Sequence, residues 1–226
     1  MRIVFLLIVL LHGLIHFMGF AKAFDYGNMV QFTKEISKPM GLLWLLTGLL
    51  FIVSAVLNLI KKDTWPILAI IAVLVSQILI FTVWKDAKFG TIANVIILLA
   101  AIIGFAMHNF ENRYKKDVLF AMGTTNFRDE IITEKNLETL PLQVQNYLRY
   151  VGVVGKPKIK NVKAMFEGEM RDKGKDWFRF TSEQYNFFDS PTRLFFMKAK
   201  VSGLPTHGYH SYKENRARML IKLLSL

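Results

Sequence analysis

The chain has no cysteine among its 226 residues. That excludes disulfides, thiolate metal sites and a cysteine nucleophile, and it leaves the compartment open, because a cysteine-free domain suits either side of a membrane. No P-loop, no dinucleotide-binding glycine pattern and no nucleophile-elbow serine is present. Neither a basic recognition helix nor an aromatic-plus-glycine RNA signature occurs, so the net charge of +12 does not argue for nucleic acid. Charge itself is missing from long stretches. Ile3–Phe20, Met40–Ile60, Trp65–Trp84 and Gly90–Met107 contain no Asp, Glu, Lys or Arg. Each reaches or approaches the roughly 20 residues needed to cross a hydrocarbon core.

What is present is uneven. The mean hydropathy is +0.32 with 53% hydrophobic residues. Residues 1–108 hold eight Lys/Arg and four Asp/Glu, and residues 109–226 hold twenty-one and thirteen, so the charge divides into +4 and +8. These numbers predict an α-helical membrane bundle of four transmembrane helices over 1–108, a juxtamembrane linker over 109–139, and an α+β soluble domain with an antiparallel β-meander over 140–226. Short polar separators, Lys61–Lys62–Asp63 and Lys85–Asp86–Ala87–Lys88, make the bundle up-and-down with both chain ends on one side. Trp44, Trp65 and Trp84 fall near span ends, where indole rings favour the interface. Arg2, the first apolar run and Ala21–Lys22–Ala23 mimic a cleavable leader, but the run is longer than a leader core and cleavage would leave three spans. Arg2, Lys61, Lys62, Arg113, Lys115 and Lys116 lie on the side of the chain ends, against Lys22, Lys34, Lys38, Lys85 and Lys88 opposite. The cluster after the fourth span tips the soluble domain toward the cytoplasm, and its basic surface fits anionic headgroups as partners.

Polar residues inside spans are expensive and mark either packing or function. Measured from the side of the 21–39 loop at about 1.5 Å per residue, His16 lies about 6 Å deep, His12 about 12 Å, Thr47 and Gln77 about 10 Å, Ser76 about 12 Å and Asn94 about 6 Å. All four spans thus place polar groups in one half of the bilayer. His12 and His16, four apart, share a helix face. The layer reads as interhelical hydrogen bonding or as a pocket for a headgroup, quinone or haem. His108, at the opposite surface, is about 20 Å from the level of His16 and cannot join it.

In the second half, Thr133, Asn136 and Leu137 suggest a short helix, and Pro141 to Val151 an amphipathic one ended by Gly152 and Gly155. From Lys158 onward five short strands alternate with turn signals at Asp172–Lys173–Gly174, Asp189–Ser190–Pro191 and Ser202–Gly203–Leu204–Pro205. Leu194–Phe195–Phe196–Met197 is apolar on both faces, and Leu220 to Leu226 is a strand-like apolar run. An exposed apolar edge is an aggregation liability, so further strands, a partner or the membrane surface are expected to cover this end.

The blocks LPLQVQNYLRYVGVVGKPKIKNV, FEGEM, SEQYNFF, PTRLFFMKAKVSGLPTHGYHSY and MLIKLLSL occur in that order from Leu140. Together they resemble a bacterial family of unknown function that pairs an N-terminal multi-span membrane region with a C-terminal β-rich domain. The resemblance covers roughly residues 130–226 and implies a β domain that continues past this chain's end, in a protein of the bacterial inner membrane. It supplies no activity, cofactor or catalytic residue. The membrane half is similar, in hydropathy and loop placement, to small four-helix proteins of the DoxX type, a redox-associated group.

Candidate chemistry in the β domain is sparse. Glu167 and Glu169, two apart on a strand, share a face and could divide acid and base roles, or belong to a solvated strand face. His207 and His210 lie beside an expected turn but lack a third ligand, so no metal is assigned. Glu183, Gln184, Tyr185, Asn186 and Arg193 form the densest polar-aromatic cluster, able to contact a ligand or to satisfy turn backbone. The leading expectation is a membrane-anchored module binding a lipid or other hydrophobic ligand. The alternatives are a redox- or quinone-associated protein using His12, His16, Gln77 and Asn94, and a membrane-bound hydrolase or transferase using Glu167, Glu169, His207 or His210.

Overall fold

The computed structural model describes residues 2–29, 31–126 and 130–226. It divides into two compact units, 1–109 and 110–225.

The first unit is built from α1 (Arg2–Ala23), α2 (Lys38–Leu59), α3 (Trp65–Thr82), the single turn α4 (Trp84–Ala87) and the N-terminal part of α5 (Gly90–Thr124). Helices α1, α2, α3 and α5 are long and apolar enough to cross a membrane. Both α2 and α3 carry a proline in the first turn, where a missing N–H costs no intrahelical bond. Apolar side chains line the outer surface as well as the interior, where a buried polar layer sits beside an apolar core that includes Leu6, Val9, Phe51 and Ile97. In α1, Leu7, Leu11 and Leu14 are 53%, 59% and 51% exposed, while His12 and His16 are 4% and 1% exposed. Such an arrangement is stable where the surroundings are hydrocarbon. Helices α1 and α2 approach backbone to backbone: a Cβ on Gly48 would lie 2.8 Å from the Gly13 carbonyl oxygen, and one on Gly13 would lie 3.1 Å from that of Gly48. Small residues at the crossing bring helices close enough for dispersion to hold them where no hydrophobic effect acts between them. Arg2, at the start of α1, donates to the carbonyl of Leu59 at 2.9 Å and to that of Asn58, both at the end of α2, so the two run antiparallel.

The second unit begins inside α5. Phe110, Tyr114, Val118 and Ala121 recur at helical spacing and pack on Phe187, Leu194, Phe196 and Tyr209. The segment 109–139 is therefore not simply a linker: helix continues through Thr124, and only after it does the chain turn irregular. A turn of 3₁₀ helix, Glu134–Asn136, is capped by Thr133, whose hydroxyl and N–H both donate to Asn136 Oδ1. Helix α6 (Leu142–Tyr150) follows.

The sheet is a meander, β1 (Asn161–Met170), β2 (Phe178–Phe187), β3 (Thr192–Val201), β4 (Leu204–Lys213) and β5 (Arg216–Leu223), each antiparallel to the next and paired in chain order. The Ser202–Gly203 turn is shorter than the four-residue signal, so Leu204 and Pro205 belong to β4. Ser202 and Gly203 have φ of 50° and 80°, and Glu214 and Asn215, between β4 and β5, have 52° and 58°. Positive φ at both central residues is the two-residue hairpin turn whose twist matches that of the strands.

Candidate functional site

In the first unit the polar layer forms one hydrogen-bonded chain across α1, α3 and α5. His16 Nδ1 lies 2.8 Å from the carbonyl oxygen of His12, which can only accept, so Nδ1 carries a proton. In the neutral ring Nε2 is then an acceptor, and Ser76 Oγ, 2.9 Å away, donates to it. Asn94 Nδ2 donates to Ser76 Oγ and to Gln77 Oε1, each at 3.0 Å, and Asn94 Oδ1 accepts from His12 Nε2 at 2.9 Å. Gln77 Nε2 donates to Thr91 Oγ1 at 3.1 Å. With both histidines neutral, every one of these contacts joins one donor to one acceptor. Thr47 is buried, but its hydroxyl donates to Leu43 of its own helix at 2.7 Å and takes no part. The Trp44 ring lies 5.0 Å from that of His16, and its buried Nε1 has no hydrogen-bond partner. His108 instead pairs with Asp63 at 3.3 Å.

In the second unit the candidate residues do not gather in one place. Alternation along the strands places Glu167, Glu169, Glu183, Tyr185 and His207 on the face that packs on α5, and Arg193 and His210 on the other. His207 and His210 lie within β4 rather than beside a turn, and three residues apart on a strand means opposite faces. They cannot share a ligand, and among the described residues no group of three or more His, Asp or Glu could hold a metal ion. Glu169 pairs with Arg179 at 2.9 Å. Glu183 accepts from Tyr114 at 3.0 Å and pairs with Lys163 at 2.7 Å, whose ammonium also lies 5.4 Å from the Tyr185 ring centre. That pairing raises the Lys163 pKa. His207 Nδ1 meets Ser225 Oγ at 3.0 Å. Burial, then the charge of Lys198, depresses the His207 pKa.

Among the described residues, the helix packed on the sheet, α5, lies on the first face, and no helix is seen packed on the second. Its register rows run Val162–Asn186–Arg193–Tyr212–Ala217, Ala164–Gln184–Phe195–His210–Met219, Phe166–Ser182–Met197–Gly208–Ile221 and Gly168–Phe180–Ala199–Thr206–Leu223. Polar groups concentrate in the first two rows, where Arg193 Nε donates to Gln184 Oε1 at 3.1 Å and Gln184 Nε2 to Asn186 Oδ1 at 3.2 Å. The last two are mostly apolar, with small residues at the centre and Phe166, Ile221 and Leu223 at least half exposed. Ser182 Oγ and His210 Nδ1 are buried on this face without a hydrogen-bond partner. Inspection of sequence alone misses Ser182, Phe110 and Tyr114. The helical spacing of Phe110, Tyr114, Val118 and Ala121 is the signal that could have found the last two.

Residues 130–226 match the model of a family described as a family of unknown function (DUF6544). No curated protein and no solved structure matches the chain.

Proposed function

We propose that the second unit binds an amphipathic, lipid-like ligand across the uncovered face of its sheet, at a membrane to which the four apolar helices hold it. The observation that carries this reading is the gradient on that face. One end offers a guanidinium and two carboxamides, the middle offers Ser182 Oγ and His210 Nδ1 without partners, and the other end is apolar. Buried polar atoms are rarely left unpaired, and a headgroup or ester placed over Ser182 and His210 would satisfy both. The apolar rows would bury acyl chain, at about 25 cal/mol per Å² removed from water. Placement at a bilayer follows from the four apolar helices, and the excess of basic residues in the second half suits an anionic, cytoplasmic leaflet.

The test is mass spectrometry of lipid that co-purifies with the full chain after detergent exchange. Wild type should retain stoichiometric lipid. Met197→Glu and Ile221→Glu, on the uncovered face, should lose it with circular dichroism unchanged, while Glu169→Gln on the other face should keep it. Equal retention by all variants, or no retained lipid, removes the reading. So does a quinone or haem that is lost on His12→Ala, which would place the ligand in the bundle instead.

A further inference from the structure

On the covered side of the sheet, α5 and the β4–β5 hairpin flank an open pocket of about 220 Å³ lined by Arg113, Asp117, Lys213, Glu214, Arg216 and Arg218, with Tyr209, Ser211 and Leu220 completing it. Four cations face two carboxylates, an excess of two positive charges. The deeper carboxylate is already committed. Asp117 Oδ2 accepts from the buried Tyr209 hydroxyl, and Asp117 Oδ1 from Lys213 Nζ at 3.1 Å. Among the described residues, Arg113, Arg216 and Arg218 make no ion pair, whereas Arg149 and Arg179 elsewhere in the unit do. The turn at Glu214–Asn215 fixes Lys213 opposite Arg216, and the next pair on the same face sets Arg218 opposite Ser211. Three exposed arginines thus line one concavity, Arg113 from α5 and Arg216 and Arg218 from the hairpin, with Ser211 lining it too.

We infer that this cavity is an anion site for a phosphate group, with Arg113, Arg216 and Arg218 as its ligands. Guanidinium groups stay charged at every physiological pH and match phosphate oxygens with paired N–H donors. Asp117 orients Lys213 and Tyr209 rather than neutralising the arginines. The site lies on the opposite face from the proposed lipid surface and does not rest on that reading. The phosphate could come from a lipid headgroup or from a free phosphate compound, which share the recognising chemistry.

The experiment uses the detergent-solubilised full chain and two probes. Isothermal titration with sodium phosphate, against sodium chloride at matched ionic strength, reads free phosphate. Native mass spectrometry with added phosphatidylglycerol or phosphatidylcholine reads the headgroup. Binding of either anionic probe should weaken about tenfold for each guanidinium removed, in Arg113→Gln and in the Arg216→Gln/Arg218→Gln pair. The Lys173→Gln/Lys175→Gln pair, with the same charge change in the β1–β2 turn, should leave it unaltered. Phosphate binding with this profile identifies a free-phosphate source, and selective retention of phosphatidylglycerol alone identifies the headgroup. Binding of neither probe, or equal weakening by the lysine pair, overturns the assignment. Arg113→Gln keeps the test valid should the hairpin variant fail to fold.

Discussion

Asn94 is the hub of the polar chain in the bundle, and its replacement by leucine measures what that chain contributes. The substitution keeps the approximate volume but removes the acceptor for His12 Nε2 at 2.9 Å and the donors to Ser76 Oγ and Gln77 Oε1, both at 3.0 Å. Hydrogen bonds between membrane helices average about 0.6 kcal/mol with an upper range near 1.7 kcal/mol. Three of them give about 2 kcal/mol, rising toward about 5 kcal/mol if the stranded groups find no new partners. One replacement is at hand, since Ser76 Oγ lies 3.4 Å from His12 Nε2 and can accept from it once Asn94 is gone, so the lower figure is expected. The control is Thr47→Val. Thr47 is as deeply buried, yet its hydroxyl bonds only within its own helix, so its loss should cost well under about 1 kcal/mol. Unfolding of the full chain by titration of dodecyl sulfate into mild detergent, followed by tryptophan fluorescence, compares the two. If Asn94→Leu is no more damaging than Thr47→Val, the chain does not fasten the bundle and the hydrogen-bond accounting is wrong.

Four further outcomes follow from local geometry and titration. Gly48→Ala should cost about 1–3 kcal/mol in the same titration, because its Cβ would meet the Gly13 carbonyl oxygen at 2.8 Å and the Phe17 ring at 2.7 Å. Gly123→Ala, with nothing within 4 Å, should be neutral or stabilising by up to about 1 kcal/mol. Glu214→Asn should raise the thermal midpoint by relieving part of the about 1–2 kcal/mol that a left-handed conformation costs a longer side chain, and by removing a carboxylate it should also tighten phosphate binding; a lowered midpoint counts against the hairpin geometry. His207 has its pKa depressed below the usual 6.5, so between the folded and unfolded values the unfolded chain binds more protons. Stability from this group is therefore full above about pH 6.5 and falls as pH drops through the histidine range. His207→Asn should flatten the pH dependence of unfolding between about pH 7 and about pH 5, and an unchanged slope would assign the titration elsewhere.

The membrane spans and the strand order were legible because each rests on a strong, local signal. Uncharged runs of span length became α1, α2, α3 and the start of α5, and Gly, Pro and Asp clusters marked most turns of the meander. The C-terminal part of α5 was not, because Arg113, Lys115, Lys116 and Asp117 dominate the reading of a segment whose other face carries Phe110, Tyr114, Val118 and Ala121. Depth along a helix placed His12, His16, Gln77 and Asn94 at a common level but could not say that Thr47 bonds backward to Leu43 while Ser76 bridges two helices. Those are questions of helix rotation, which hydropathy does not fix. In the sheet, the sequence spacing of His207 and His210 suggested proximity, and the extended backbone of β4 turned it into separation. The uncommitted arginines were invisible for a related reason. Arg113 is about a hundred residues from Arg216, and only the packing of α5 on the meander brings them to one cavity.

Counting hydrogen-bond capacity separates the two units more sharply than residue type does. In the bundle, the side chains that look most chemical are spent on one another: Ser76 receives from Asn94 and gives to His16, whose other nitrogen gives to His12. A substrate entering that chain would have to displace bonds already made between buried groups, and each group left behind would carry its own desolvation cost of about 1–3 kcal/mol. On the uncovered face of the sheet the position is reversed. Ser182 Oγ and His210 Nδ1 are sheltered from water and have nothing to bond, so a ligand that supplies a donor and an acceptor there displaces no protein contact. Arg113, Arg216 and Arg218 differ in being exposed to water, but among the described residues they make no ion pair, so an anion there would displace water rather than a carboxylate. Binding is favoured where the protein alone leaves buried polar groups unsatisfied; that measure supports the proposed ligand face of the sheet, with Ser182 Oγ and His210 Nδ1, and in the bundle it leaves Trp44 Nε1 beside His16 as the one such atom among the described residues.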